Sequence, residues 1–342
     1  MPIKFFNALL FCSLLAVNAH GQSDDFQTRM QQGIKLYDQG DYAGAVEQYK
    51  AVLASDKDSA LANYEIALTY LAMKKYEKTI EHCDVILSYV SSFHGGAYLL
   101  KGSALDMLGR SKDAIVNFKE GITSQPNNHL LYFNLAVTYA HNKEYDAAEA
   151  ALQKALIIAP SHASSHLLLS NVMYDQGKRA KSALALYNFL TLEPKGNRAK
   201  AAYETLVAMI NAGVQPDGKS INITMPSDGT VDDFVALELA LSLTATSKHS
   251  ERIQDKDEYK RLSESAKDFF LICGQLQKEK HGFWWDYYVS YFYAMTNANH
   301  VEAFSYYISQ AREDVIVASW LNENKDKVDL FLKWSASTKR TK

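Results

Sequence analysis

The sequence predicts an all-α protein in which helix-turn-helix repeats are followed by a C-terminal α-helical domain. Three observations lead to this prediction. Small, large and proline residues each recur at a spacing of about 34 residues between positions 33 and 194, about half of the chain. Only six prolines and sixteen glycines occur among 342 residues, which favours helices. All four tryptophans lie in the last fifth of the chain, so the C-terminal part differs in kind from the repeats.

The repeat is visible as columns of residues with one shared period. A first small column, on the first helix of each pair, holds Gly33, Ala67, Gly102, Ala136 and Ser170. A second small column, on the second helix, holds Ala45, Thr79, Ala114, Ala148 and Ser182. A column of mostly large residues, four positions later, holds Tyr49, Cys83, Phe118, Leu152 and Leu186. The small residues allow the two helices to approach closely, and the large residue fills the space on the same helical face. Proline then ends the second helix at Pro126, Pro160 and Pro194.

A tight turn is predicted between the two helices of each pair. Glycine stands in the turn at Gly40, Gly109 and Gly177, where the left-handed conformation that ends a helix costs glycine nothing. In the second and fourth repeats the corresponding segments are Lys74-Lys75-Tyr76 and Lys143-Glu144-Tyr145.

These columns resemble the tetratricopeptide repeat (TPR) family. The match is fullest where Leu135, Ala136 and Tyr139 are followed by Ala148 and Pro160. The resemblance implies a TPR superhelix of five repeats, at 26–59, 60–93, 95–128, 129–162 and 163–196. It also implies a binding scaffold for a protein or peptide, because repeats of this family serve many partners.

The resemblance further implies that the first helices of the repeats line a partner-binding groove. The groove positions carried over are mostly apolar or aromatic: Met30, Ile34, Tyr37, Tyr64, Leu68, Leu71, Leu99, Ser103, Asp106, Phe133, Val137, His141, Leu167, Asn171 and Tyr174. Family members that clamp a C-terminal carboxylate have Lys, Arg and Asn at such places. This chain has Met30, Ile34, Glu65, Gly96 and Leu100 there, which disfavours that mode. An apolar groove either binds an apolar or extended peptide segment or packs against the chain's own C-terminal helices.

The first 21 residues are predicted to be a secretory signal peptide. Lys4 precedes an apolar run over 5–17, and cleavage is expected after Ala19 or Gly21. A buried N-terminal helix is the alternative. The protein is therefore expected to be exported, periplasmic or secreted, in a Gram-negative bacterium. No later segment is apolar for long enough to span a membrane.

The net charge of −3 gives no indication of nucleic-acid binding. Cys83 and Cys273, the cysteines after the leader, do not form a disulfide framework, and Cys83, on a repeat core position, is expected to be a small buried residue.

Beyond the repeats we predict a capping helix and linker over 197–229 and a helical domain over 230–342. The linker contains a β-favouring run at 221–224, and Thr230 with Asp233 resembles a helix-capping box. The first helix of the domain extends to about Thr246, although its alternating leucines would also suit a strand. Further helices are predicted at about 257–278, 282–296, 299–312 and 314–336, the last with a break near 322–324.

The aromatic run at 284–293 is predicted to be largely buried, with Asp286 or His300 as hydrogen-bond partners for its hydroxyls. Trp284, Trp285, Tyr288 and His300 nevertheless form a possible secondary site. No spacing typical of a metal, nucleotide or nucleophile site occurs, so neither a cofactor, a metal nor an enzyme activity is predicted. The leading hypothesis is a protein-interaction scaffold in an envelope or export complex. The alternative is an enzyme or carbohydrate-binding module near 284–293.

Overall fold

The structure is a computed structural model that describes residues 22–212, 214–217, 220–223, 234–246 and 257–340. The predicted signal peptide, the Thr230–Asp233 capping box and residues 247–256 lie outside these ranges. In the described part the chain is helical apart from one short β-hairpin, which confirms the all-α prediction.

Five helix pairs occupy the repeat region. Their bounds are α1 Gln22–Asp38, α2 Tyr42–Ser55, α3 Ala60–Ala72, α4 Tyr76–Leu87, α5 His94–Met107, α6 Ser111–Ser124, α7 His129–His141, α8 Tyr145–Ile158, α9 Ala163–Asp175 and α10 Arg179–Leu192. The helix α11, Asn197–Asn211, follows directly. The chain divides into two compact units, Met1–Ala104 and Leu105–Lys342, and each is described by itself below.

All five turns inside the pairs have one residue in the left-handed region. Glycine occupies it in three turns, with φ of +83° at Gly40, +74° at Gly109 and +73° at Gly177. Lysine occupies it in the other two, with φ of +59° at Lys74 and +60° at Lys143. The repeat geometry therefore imposes this conformation even where the side chain disfavours it.

In the first unit, the small columns act as the sequence predicts. A methyl group added to Gly33 would lie 2.3 Å from the ring of Tyr49, so only glycine lets α2 pack this closely on α1. In the next repeat, Thr79 Oγ1 donates to the carbonyl of Ala67 across 3.3 Å, which joins α4 to α3. Cys83 is buried, as expected, and pairs with no other cysteine.

In the second unit, α10 is the central helix. Every residue from Ala180 to Leu190 is buried, and the helix packs against α9, α11, α12 and α15. A helix that is covered on all sides has no polar face to show to solvent. The second helix of the fifth repeat therefore packs both against its own repeat and against the C-terminal helices.

The C-terminal helices follow the predicted order. They are α12 Val235–Thr246, α13 Glu258–Gln277, a π-helical turn Trp284–Val289 that continues as α14 Ser290–Asn297, α15 Val301–Ile308 with a 3₁₀ turn Ser309–Arg312, α16 Val315–Glu323 and α17 Lys325–Ser337. The alternating leucines of α12 are helical, so the strand alternative is wrong. The predicted break near 322–324 falls between α16 and α17.

Between α11 and α12 the predicted β-favouring run forms part of a hairpin. Strand β1, Val214–Asp217, pairs antiparallel with β2, Ser220–Ile223. No helix in the described part of the chain is long and apolar enough to cross a membrane.

Candidate partner-binding surfaces

The first unit presents the predicted groove positions on α1 and α3. Ile34 is 39% exposed, and Tyr37, Tyr64, Leu68 and Leu71 are half-buried. A shallow depression of about 410 Å³ borders Ile34 and Asp38 on α1. These side chains form an apolar and aromatic surface with open edges.

Met30 is an exception among the predicted groove residues. It is 4% exposed and lies in a core cluster with Ala45, Val46 and Tyr49. Its side chain therefore stabilises the first repeat, and only a rearrangement of this core would offer it to a partner.

Two acidic side chains also lie on this face, and they were not among the predicted site residues. Glu65 follows Tyr64 on α3, and Asp38 lies one turn after Ile34 on α1. Burial, with a smaller contribution from Asp38, raises the pKa of the Glu65 carboxyl to about 7. The helical spacing in the sequence could have indicated Asp38, because Ile34 and Asp38 are four residues apart and therefore share a helix face.

The third repeat places Leu99 and Ser103 in the first unit, where both are half-buried. In the second unit, Asp106 is half-buried and accepts a hydrogen bond from His141 Nδ1 at 3.2 Å, provided that this nitrogen carries the proton.

The remaining predicted groove positions in the second unit differ in exposure. Tyr174 is 53% exposed, and Asn171 and His141 are exposed as well. Phe133, Val137 and Leu167 are half-buried. The C-terminal helices thus leave part of this face accessible.

The aromatic run at 284–293 is closed rather than open. Trp284 is 6% exposed, Trp285 4%, Tyr287 3% and Tyr288 0%. Neighbouring rings stack directly, with 5.1 Å between the centroids of Trp284 and Tyr288. A sugar or substrate could stack on these rings only after the core had opened, so the possible secondary site is a packed core. His300 is half-buried and contacts Trp334 instead, with 5.4 Å between ring centroids.

The hydrogen-bond partners of these aromatic residues differ from those expected from the sequence. Trp284 Nε1 donates to Glu149 at 2.6 Å, and Tyr287 Oη donates to the carbonyl of Leu156 at 3.4 Å. Both acceptors lie on α8, in the fourth repeat. Asp286, an expected partner, instead accepts from the backbone N–H of Gly282 at 2.7 Å.

A buried polar cluster joins α9 and α10 to the aromatic run. His166 is fully buried, accepts from Tyr288 Oη at Nδ1 over 2.6 Å, and lies 2.9 Å from the Pro160 carbonyl at Nε2. A carbonyl only accepts, so a proton on Nε2 with a lone pair on Nδ1 satisfies both contacts; the Asn188 amide nitrogen lies close to the ring as well, 3.0 Å from Nδ1 and 2.7 Å from Nε2. Burial is the main cause that lowers the pKa of His166 to about 3, so the imidazole is neutral.

Arg340, close to the C-terminus, completes this cluster. Its guanidinium lies 3.8 Å from the ring centroid of Tyr291 and donates to the carbonyl of Tyr287 at 3.0 Å and to the side-chain oxygen of Asn188. Nothing in the sequence around 340 indicated this role, because the partners are distant in the chain.

The family models match segments within the repeats. One family model, described as TPR repeat, matches residues 33–74, and another, described as tetratricopeptide repeat, matches residues 99–163. These two segments of the chain are tetratricopeptide repeats. TPR repeats are protein-interaction modules, and the two matches support a protein-interaction scaffold.

Similar proteins share the repeats. A TPR repeat-containing protein of Methanocaldococcus jannaschii is 27% identical over 146 residues, which are 42% of this chain and 24% of that protein. The Hsp70-Hsp90 organizing protein of Triticum aestivum is 31% identical over 101 residues, 30% of this chain and 17% of that protein. The chain thus spans a quarter or less of these relatives.

Among solved structures, the MamA protein is 24% identical, covers 53% of this chain and 97% of its own, and has a TM-score of 0.43. PilW, described as a type IV pilus biogenesis factor, is 17% identical, covers 67% of this chain and 96% of its own, and has a TM-score of 0.44.

Proposed function

We propose that this TPR protein is an interaction scaffold that binds an apolar or extended segment of a partner protein along the first helices of its repeats. The observation that carries the proposal is the contrast between the buried aromatic run and the exposed side chains on the first helices of the repeats. The run at 284–293 is buried, whereas Ile34 and Tyr174 leave 39% and 53% of their surface open. Ile34 belongs to the first unit and Tyr174 to the second, so each unit has its own exposed apolar or aromatic side chain on a first helix, and such side chains are typical of binding surfaces.

The proposed cellular location rests on the predicted signal peptide and not on the fold. With its predicted signal peptide, the scaffold would work in the periplasm or outside the cell, in an envelope or export complex. No catalytic role is proposed, because tetratricopeptide repeats are generally interaction scaffolds.

The test is a screen of the full chain against an array of short peptides of varied hydrophobicity. Leu68→Glu in the first unit and Leu167→Glu in the second place a charge on the proposed surface. We expect these substitutions to weaken binding of captured peptides at least tenfold, because a carboxylate would be desolvated against an apolar ligand.

Two control variants make the same kind of change elsewhere. Val90 is 100% exposed in a loop and Val116 is 57% exposed on α6. Val90→Glu and Val116→Glu should leave binding unchanged. Equal losses in all four variants, or peptide binding that none of them changes, would refute the proposal.

A further inference from the structure

Aromatic rings and neutral oxygens hold the guanidinium of Arg340 in the second unit. The guanidinium carbon lies 3.8 Å from the ring centroid of Tyr291, 4.9 Å from that of Tyr287 and 5.7 Å from that of Tyr288. Its nitrogens donate to the backbone carbonyl of Tyr287 at 3.0 Å and to the side-chain oxygen of Asn188. We call these three rings and two oxygens the tyrosine cage. A flat guanidinium with several donors suits such a cage better than a compact ammonium does.

The rings of the tyrosine cage are fixed by hydrogen bonds that do not involve Arg340. Tyr288 and Tyr287 donate their hydroxyls to acceptors on α9 and α8, and Tyr291 Oη lies 2.7 Å from Ser335 Oγ of α17. Each of the three tyrosines is buried. Because these bonds hold the ring faces in place, the cage is ordered before a guanidinium enters it, which favours binding.

Asn188 gives the cage a buried acceptor with a fixed direction. The residue is 2% exposed, and its amide nitrogen lies 3.0 Å from Nδ1 and 2.7 Å from Nε2 of His166. The amide nitrogen thus faces the imidazole, while Oδ1 faces Arg340. If Arg340 left, Oδ1 would lose its charged donor, and a buried acceptor without a donor is costly. A vacated cage would therefore favour the entry of another guanidinium.

The end of the chain is attached to the cage through one side chain. Helix α17 ends at Ser337, and the next residue, Thr338, bonds back to Trp334 of the same helix. Lys339 is exposed and Arg340 is half-buried. Both oxygens that accept from Arg340 are neutral. Such an attachment can open while the preceding helix stays folded, because chain ends open at low free-energy cost.

We propose that the tyrosine cage is a guanidinium-binding site, occupied by Arg340 in the free protein, and that an arginine side chain of a partner segment takes the place of Arg340. The incoming arginine stacks on Tyr291 and donates to the same two oxygens, while residues 338–340 move out to solvent. Because Arg340 is tethered, it competes at a high effective concentration, so the wild type binds such a segment weakly. The cage uses α10 and the aromatic run instead of the groove positions, so this inference does not depend on the proposed function.

The experiment uses the full chain with Arg340→Ala, which vacates the cage, and fluorescently labelled peptides with the sequence of residues 336–342. One peptide has the natural arginine, and two others have lysine or the neutral analogue citrulline in its place. Fluorescence anisotropy measures binding. We expect Arg340→Ala to bind the arginine peptide at least tenfold more tightly than the citrulline peptide, with the lysine peptide in between.

Further proteins assign the binding to the cage. The wild type and Lys339→Ala both keep Arg340 in place, so each should bind the arginine peptide at least tenfold more weakly than Arg340→Ala does. Adding Tyr291→Leu to the Arg340→Ala chain removes the nearest ring and should abolish the preference for arginine over citrulline. Adding Leu68→Glu, which tests the repeat groove, should leave the affinity for the arginine peptide unchanged.

Melting temperatures supply a second measurement, which applies even where Arg340→Ala is unstable. Saturating arginine peptide should raise the melting temperature of Arg340→Ala, whereas the citrulline peptide should not. Equal effects of the two peptides on Arg340→Ala, in affinity or in melting temperature, would overturn the inference. Equal affinity of the wild type and Arg340→Ala for the arginine peptide would overturn it as well. Neither result would bear on peptide binding by the repeat groove.

Discussion

Tyr288 Oη donates a 2.6 Å hydrogen bond to Nδ1 of His166 across 122 residues of chain. One residue belongs to the fifth repeat and the other to the C-terminal aromatic run, and both are completely buried. This bond, together with those of Trp284 and Tyr287 to α8, makes the fourth and fifth repeats and the C-terminal helices one core.

Removing this hydroxyl should destabilise the protein without changing its fold. In Tyr288→Phe, Nδ1 of His166 loses its phenolic donor but keeps the Asn188 amide nitrogen at 3.0 Å, so the loss is that of one hydrogen bond, about 0.5–1.5 kcal/mol. We expect the free energy of urea unfolding to fall by that amount. Tyr174→Phe, at an exposed phenol, is the matched control and should change it by less than about 0.5 kcal/mol. Equal losses in both variants would contradict the assignment.

Stability should depend on pH through His166. Burial lowers the pKa of His166 in the folded protein to about 3, below the ordinary value of 6.5 that applies when the chain is unfolded. Between these values the unfolded chain binds the proton and the folded chain does not. The stabilisation is therefore complete above pH 6.5 and is lost as the pH falls toward 3, on the order of 2–3 kcal/mol by pH 4.

Urea titrations at pH 7 and pH 4 would measure this loss. His166→Gln should be less stable than the wild type at pH 7 and should show a smaller drop on acidification. His141→Gln, at an exposed histidine, should retain the wild-type drop. Burial also lowers the pKa of His162, to about 4, so part of the pH dependence should survive in His166→Gln. An unchanged drop would refute the role of His166.

Arg340 should hold the C-terminus on the aromatic run. Its guanidinium contacts Tyr291 and donates to Tyr287, so Arg340→Ala removes a cation–π contact and charge-assisted hydrogen bonds. We expect a loss of about 2 kcal/mol and faster hydrogen exchange in α17 and the residues after it. Lys339→Ala, at the exposed neighbouring residue, should do neither. Identical exchange in the two variants would show that the contact does not secure the tail.

The two lysines with positive φ, Lys74 and Lys143, should be sites of backbone strain. Lys143 has φ of +60°, a conformation that glycine adopts freely. Lys143→Gly is therefore expected to stabilise the protein by about 0.5–1 kcal/mol, whereas Lys154→Gly, in the exposed interior of α8, should destabilise it by about 1 kcal/mol. Thermal unfolding of the two variants would show opposite shifts; a shift of the same sign would contradict the strain at Lys143.

The sequence by itself determined the helices and their pairing in the repeat region. Its columns place Gly33 against Tyr49 because a repeated helix contact needs a small residue opposite a large one at a fixed spacing. The same local rules predicted the C-terminal helices and that the residues at 284–293 would be buried.

The tertiary structure decided what those buried residues contact. Asp286 lies within the aromatic run and His300 follows it closely in sequence, yet the hydroxyls of Tyr288 and Tyr287 and the indole of Trp284 pair with His166, Leu156 and Glu149. Helical periodicity shows that a face is buried, but it carries no information about which distant segment covers that face.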